Sequence, residues 1–546
     1  MKRRQFHVLL TVLLFLSSPR AVTSMTLEEA EDIIDSHAEV LDGNEAVGSV
    51  PAAIARLRSL QEMDPEDFVC SPCSTYYRID GLCNNLDNPT WGAAFMTYIR
   101  ELPNSYQDGK NIPRLYEGGT TDPLPSARLV STECLPSLKE EGDLDLDKTH
   151  SQIVMQFGQF FAHDLVETGE MDGKDCCSNL DENGFHPDTD NGGACYPIPI
   201  PDNDRHFKAC MAFKRSISEP DDEGKLRVDG SEMLPQDDIH KCLLEPPSNL
   251  AGCPNAGDVR VNVFPGLTSM HLVWHREHNR LADKLAEVHP DWTDEKLFQE
   301  ARRINIAQLQ NVVYKEYLPA VLGQKVYDLF RLDKPARYDP DLNPTIINSF
   351  ATAAYRFGHT QINNVYRFGG DNSSVLLQDT FFRPAFYCQK GEESHSQVME
   401  SLLKDKAEKV DDKFPEGVTD LLFVGVDSPG VSTDLPARNI QRGRDHGLPP
   451  YDEYLDLALS FFNGSIYVSD TNDTGDVDLF LGAVSEDPVP GGIVGPTFAY
   501  LIGLQFQNLR EAQVNSIKAT TFSGIICRNS GLHMVQEKAF EIPGVG

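Results

Sequence analysis

In the stretch 152–164, QIVMQFGQFFAHD, Gln152, Gln156, Gln159 and His163 recur at spacings of four, three and four. On a helix those positions share one face. Ile153, Phe157, Phe160 and Phe161 form an apolar stripe beside them. A polar stripe flanked by phenylalanines does not suit a face turned to solvent. It predicts a buried helix that turns its histidine toward an enclosed polar site. Histidine is the side chain whose ordinary pKa lets it take and return a proton near neutral pH. The bland counterpart is a core histidine satisfied by a glutamine one turn away. Three further segments carry side chains suited to chemistry: GDVRVN at 257–262, YRFGHT at 355–360 and DLPARNIQRGRDHG at 434–447. Taken singly, each has an ordinary reading. Arg260 would be a surface charge, His359 a basic residue suited to a helix C-terminus, and RGRDHG a solvated loop with local ion pairs.

The elements that must position these residues are mostly helices. Leu267–Val288 has the clearest pattern, with Leu267, His271, Trp274, His278, Leu281, Leu285 and Val288 at steps of three and four. Arg276, Arg280, Lys284 and Glu287 lie on the other face. Helix is predicted over Asp294–Leu309, in a unit that ends at Tyr317–Pro319, and again over Ile346–Gly358, 397–414 and 451–462. Residues 170–256 are rich in Asp, Asn, Gly, Pro and Cys and read as loop. Within them DTDNGG at 188–193 hints at calcium, but it lacks the bidentate glutamate of an EF-hand and reads as a turn. Strand signals are short and few, and there are no internal repeats. The predicted class is mainly α, a single large helical domain over 70–546 with few short strands.

The chain opens with Lys2, Arg3 and Arg4, an apolar run from Val8 to Leu16 and small residues to Ser24. That is the pattern of a secretory signal peptide over 1–24, too short for a membrane span. Residues 25–69 are acidic and helical in pattern, a pro-segment or N-terminal arm. The 83 acidic and 48 basic side chains give a net charge of −35, which repels nucleic acid and anionic membranes. Twelve cysteines in an exported chain predict disulfides, with the pairing left open. Asn372, Asn463 and Asn472 head glycosylation sequons. The expectation is a secreted, extracellular, disulfide-bonded glycoprotein.

QFFAHD at 159–164 and the three segments above, in that order, resemble the animal haem peroxidase superfamily, the myeloperoxidase, peroxidasin and peroxinectin group. CSTYYRIDGLCNN at 73–85, LTSMHLVWHREHNRLA at 267–282, DVDLFLGAVSE at 476–486 and VGPTFAYLIGLQF at 494–506 extend the resemblance from about Cys73 to about Asn529. Its flavour is closest to invertebrate peroxinectin-like secreted peroxidases. By this resemblance His163 is the distal base that takes a proton from hydrogen peroxide, and Gln159 holds water or a halide. Arg260 is the distal cation that stabilises charge as the peroxide bond breaks. His359 is similar to the proximal iron ligand of haem b, and Asn439 to its hydrogen-bond acceptor. Arg356 and Arg442 resemble propionate partners, and Asp164 matches a calcium ligand. The implied enzyme uses hydrogen peroxide to oxidise a small reducing substrate, a phenol or a halide. The alternative is a catalytically impaired relative that binds an extracellular-matrix or cell-surface partner. An acidic storage or egg-coat protein rests on composition alone.

The chain also departs from that pattern. Many members hold haem through two ester carboxylates, and Ala162 and Val263 stand at those positions. Neither can form an ester, so haem is expected to be noncovalent. The calcium loop expected after Lys214, Arg215 and Ser216 gives way to ISEPDDEGKLRVDGSEMLP. A single carboxylate holds calcium poorly, so Asp164 is expected to turn to solvent or to favour a protonated His163. A second gap is expected after Glu511, and Tyr500 replaces a family cysteine.

Overall fold

The computed structural model describes Cys70 and residues 76–216 and 258–543, short loop stretches within them excepted. The expected signal peptide, the acidic arm, the stretch after Ser216, most of DTDNGG, and Asn372 and Asn472 lie outside the described residues. Helices carry the core, and among the described residues strands occur only as two-stranded pieces. The fold is mainly α. No described helix is long and apolar enough to cross a membrane.

Helix α1 (Ala127–Cys134) opens on Ser126, whose side chain accepts from Leu129 N. Strand β1 (Leu146–Ser151) pairs antiparallel with β2 (Lys406–Glu408) and leads straight into α2 (Ile153–Leu165). Helix α2 is buried from Ile153 to Phe157 and again at Phe160 and Phe161. Phe157 is its anchor, with the rings of Tyr317, Phe522 and Phe540 at centroid distances of 5.1, 5.0 and 5.4 Å. Burying such a side chain stabilises the fold by about 1.5–3 kcal/mol. The same packing demands Gly158, because a Cβ there would lie 2.6 Å from Tyr317 Oη.

Helix α3 (Pro265–Val288) packs beside α2. Its expected buried stripe holds only in the N-terminal half. Leu267 and Trp274 are buried, whereas Val288 is 70% exposed because the last turns run past the core. Met270, Val273 and Glu277 are buried as well, and Glu277 forks onto Arg280 at 2.7 and 2.8 Å. Helix α4 (Asp294–Val312) continues beyond Leu309, and Tyr317–Pro319 does not close the unit. A π turn over Val313–Tyr317 passes directly into α5 (Leu318–Leu329), with Pro319 in the first turn where a missing N–H is tolerated.

The helix expected over Ile346–Gly358 is broken. Helix α6 covers Asn348–Thr352, Ala353 leaves helical geometry (φ −130°, ψ −64°), and a 3-10 segment runs Ala354–His359. Asn348 and Thr352 both bond Nδ1 of the buried His446, at 2.8 and 3.0 Å, and these tertiary contacts fix the break. The helix expected over 397–414 is α7 (Glu392–Lys404); beyond it the chain pairs with β1 as β2, tertiary pairing overriding local pattern. Helix α8 (Leu435–Asp445) is capped by Asp434, and α9 (Tyr451–Phe462) falls where expected. Helices α10 (Pro496–Glu511) and α11 (Phe522–Asn529) follow. Disulfides join Cys70 to Cys83, Cys176 to Cys195 and Cys177 to Cys210, while Cys134 and Cys527 are exposed thiols.

Candidate active site

Helix α2 packs on the 3-10 segment, and α8 packs on that segment too. His163 from the first, His359 from the second and Asn439 from the third are thereby gathered in one region. Arg260 joins them from the turn that leads into α3.

The polar stripe of α2 divides. Gln152 is spent on structure, donating to Gln361 O at 2.8 Å and Asn363 Oδ1 at 2.7 Å, so the bland reading holds there. Gln156 donates to Gln159 Oε1 at 2.9 Å. His163 Nδ1 is sealed from solvent and has no hydrogen-bond partner among the described residues. Burial, and then the Arg260 charge, push its pKa well below the ordinary histidine value, with Asp258 opposing in part. These surroundings favour the neutral ring. Asp164 instead is exposed to solvent.

Arg260 is no surface charge. Its Nε and Nη2 fork onto Asp258 at 2.9 and 2.7 Å. Its Nη1 and Nη2 also donate to Val166 O and His163 O, each at 3.2 Å. The guanidinium therefore clamps the C-terminal end of α2 beside His163. Asp258 escaped the sequence reading. Its signal was the D-x-R spacing, since Asp258 Oδ1 also accepts from Arg260 N at 2.8 Å.

On the other side, the Asn439 amide meets His359 Nδ1 at 2.8 Å, and Arg356 Nη1 donates to Asn439 Oδ1 at 3.0 Å. The amide nitrogen thus faces the ring, where an acceptor was expected, because Arg356 claims the oxygen. Burial and the Arg356 charge push the His359 pKa down to about 3. Arg356 makes no ion pair among the described residues, and burial and then Arg442 lower its pKa to about 10. Tyr98, 1% exposed, lies in the field of Arg356 and Arg260. Arg442 is already satisfied. It donates to Ser216 Oγ, Asp445 Oδ2 and Glu170 Oε1 at 2.8, 3.1 and 2.8 Å and stacks over Phe213. Ala162 and Val263 are half-buried apolar neighbours of the core.

Haem is the cofactor implied by the resemblance, and the residues fit it. With the Asn439 amide turned so that its oxygen accepts the Nδ1 proton, His359 would present a free Nε2 to iron. A half-buried guanidinium with no carboxylate partner among the described residues suits a propionate. A second neutral imidazole lies within the electrostatic reach of the first.

The family described as animal haem peroxidase matches residues 76–223, 219–460 and 464–540. The chain is 32% identical to peroxidase mlt-7 of Caenorhabditis elegans, over 86% of this chain and 71% of that protein. It is 31% identical to the chorion peroxidase of Drosophila melanogaster, over 85% of this chain and 67% of that one. Peroxidasin of the same fly is 32% identical, but the chain spans only 35% of its length. Among solved structures, peroxidase A of Dictyostelium discoideum shares the fold, with a TM-score of 0.67 at 23% identity, covering 86% of this chain and 99% of that one.

Proposed function

The chain belongs to the animal haem peroxidase family, a class of haem-dependent oxidoreductases, and on that premise we propose that it is a secreted peroxidase with His163 as its distal base and His359 as its iron ligand. The observation that supports this reading is the pair of half-buried imidazoles whose surroundings favour their neutral forms, one beside Arg260 and one meeting the Asn439 amide at Nδ1. Haem, when bound, supplies the iron that receives hydrogen peroxide and the electrons that part its O–O bond.

The protein's own residues supply the rest. A neutral His163 can accept the peroxide proton and return it to the departing oxygen. Arg260, fixed by Asp258 and two carbonyls, presents a cation that needs no reorganisation as negative charge develops. Arg356 would engage a propionate, which releases Asn439 Oδ1 to accept the His359 Nδ1 proton and directs Nε2 to iron. Arg442, already satisfied, would steady that wall of the site. Haem would be held without esters, and the donor would be a phenol or a halide.

The test is a pair of variants. His359→Ala should remove most haem absorbance, since its imidazole is the only proposed protein–iron bond. His163→Ala should keep the Soret band and lose the peroxide reaction by about 100-fold or more. The reverse pattern would mean that the two faces are exchanged.

A further inference from the structure

The geometry points to Asp258 as a positioning residue of the distal site, one carboxylate that fixes both Arg260 and the tautomer of His163. The inference rests on the reading of His163 as the distal base. Asp258 is 5% exposed, so its charge acts in a poorly solvated setting. One oxygen, Oδ1, accepts from Arg260 N and Nε at 2.8 and 2.9 Å. The other, Oδ2, accepts from Arg260 Nη2 at 2.7 Å and faces His163 Nδ1 at 4.0 Å. That nitrogen is sealed from solvent and has no hydrogen-bond partner among the described residues.

A buried N–H is tolerated beside an anion, whereas a buried lone pair facing an anion is repelled. Asp258 therefore favours the tautomer with its proton on Nδ1. That leaves the lone pair on Nε2, the nitrogen not closed in by Asp258, which is the form a peroxide proton needs. At 4.0 Å the contact is longer than a hydrogen bond; such contacts tighten when substrate binds. Second-layer carboxylates set histidine tautomers in the same way in metal sites and hydrolases. The proton taken on Nε2 makes an imidazolium that Asp258 stabilises until the proton leaves with the departing oxygen as water.

Asp258→Asn is the informative change. Its Oδ1 can keep the Arg260 N and Nε bonds, so its amide nitrogen takes the place of Oδ2 and points a donor at His163 Nδ1. The tautomer should reverse. The measurement is 15N NMR of histidine-labelled, haem-loaded protein in its diamagnetic ferrous carbonyl form, with the His163 signals identified by their loss in His163→Gln. Wild type should show a protonated Nδ1 and a bare Nε2, and Asp258→Asn the opposite. The reaction with peroxide should slow by about 10–100-fold while the Soret band is retained, and Asp258→Glu should recover much of the rate. A wild-type His163 protonated on Nε2 would overturn the inference, even if Asp258→Asn fails to fold. So would an Asp258→Asn protein with unchanged tautomer and rate. If His163→Gln reacts with peroxide as fast as wild type, it is the assignment of the distal base that fails, whatever Asp258 does.

Discussion

At the scale of single residues, Ala162 and Val263 have a direct chemical consequence. Both are apolar and pack against the core, and an ester needs a carboxylate. Any haem should leave the protein in acidified organic solvent without proteolysis; haem that stays in the protein fraction would show a covalent link. Much of the site was legible because four short segments, in order, resemble the family's motifs. His163, Arg260, His359 and Asn439 could be named from their segments. Asp258 was not, since its role depends on where two segments nearly a hundred residues apart meet. Arg442 shows the converse. The resemblance implied a propionate partner, whereas the fold closes Ser216, Asp445 and Glu170 around it.

At the scale of elements, α2 and α10 carry two predictions. Gly158→Ala would push a methyl group against Tyr317 Oη, and overpacking of this kind costs about 1–3 kcal/mol. Chemical denaturation should show that loss, and unchanged stability would mean that Tyr317 moves aside freely. Glu486 caps α10, accepting from Thr497 N at 2.9 Å, Thr497 Oγ1 at 2.7 Å and Tyr451 Oη at 2.7 Å. Burial raises its pKa to about 7. The fold thus favours the protonated form, so this group's contribution is full below the ordinary carboxylate range and is lost as pH rises to about 7. Glu486→Gln should gain relative to wild type between pH 4.5 and 8, by at most about 3 kcal/mol. No gain would show that Glu486 ionises freely. The helices with sustained periodicity, α2, α3 and α9, were legible in the sequence. The broken stretch at Ala353 and the change from helix to strand after Lys404 were not, because contacts with His446 and β1 decide them.

At the scale of the whole molecule, Asp164 and the stretch after Ser216 belong together. The family match passes from one segment to the next with an overlap at 219–223, just past Ser216, and Asp164 is exposed. We expect the purified protein to hold no stoichiometric calcium, and calcium binding to be gained when a calcium loop is grafted after Ser216. Stoichiometric calcium by metal analysis of the ungrafted protein would refute this.

The entry into α2 has a consequence for how the protein is made. Ser151 N donates to Phe540 O at 3.0 Å, Ile542 N donates to Thr149 O at 2.9 Å, and Phe540 packs on Phe157. The helix that carries His163 is thus closed at its start by residues synthesised nearly four hundred positions later. Contacts so distant along the chain form slowly and only after loop closure. A nascent chain released from the ribosome before Ala539 would hold every residue of the site yet could not seat its first helix. Haem capture should therefore follow, rather than accompany, synthesis of the domain. Timed haem uptake during cell-free translation should rise only once residues 539–542 have emerged.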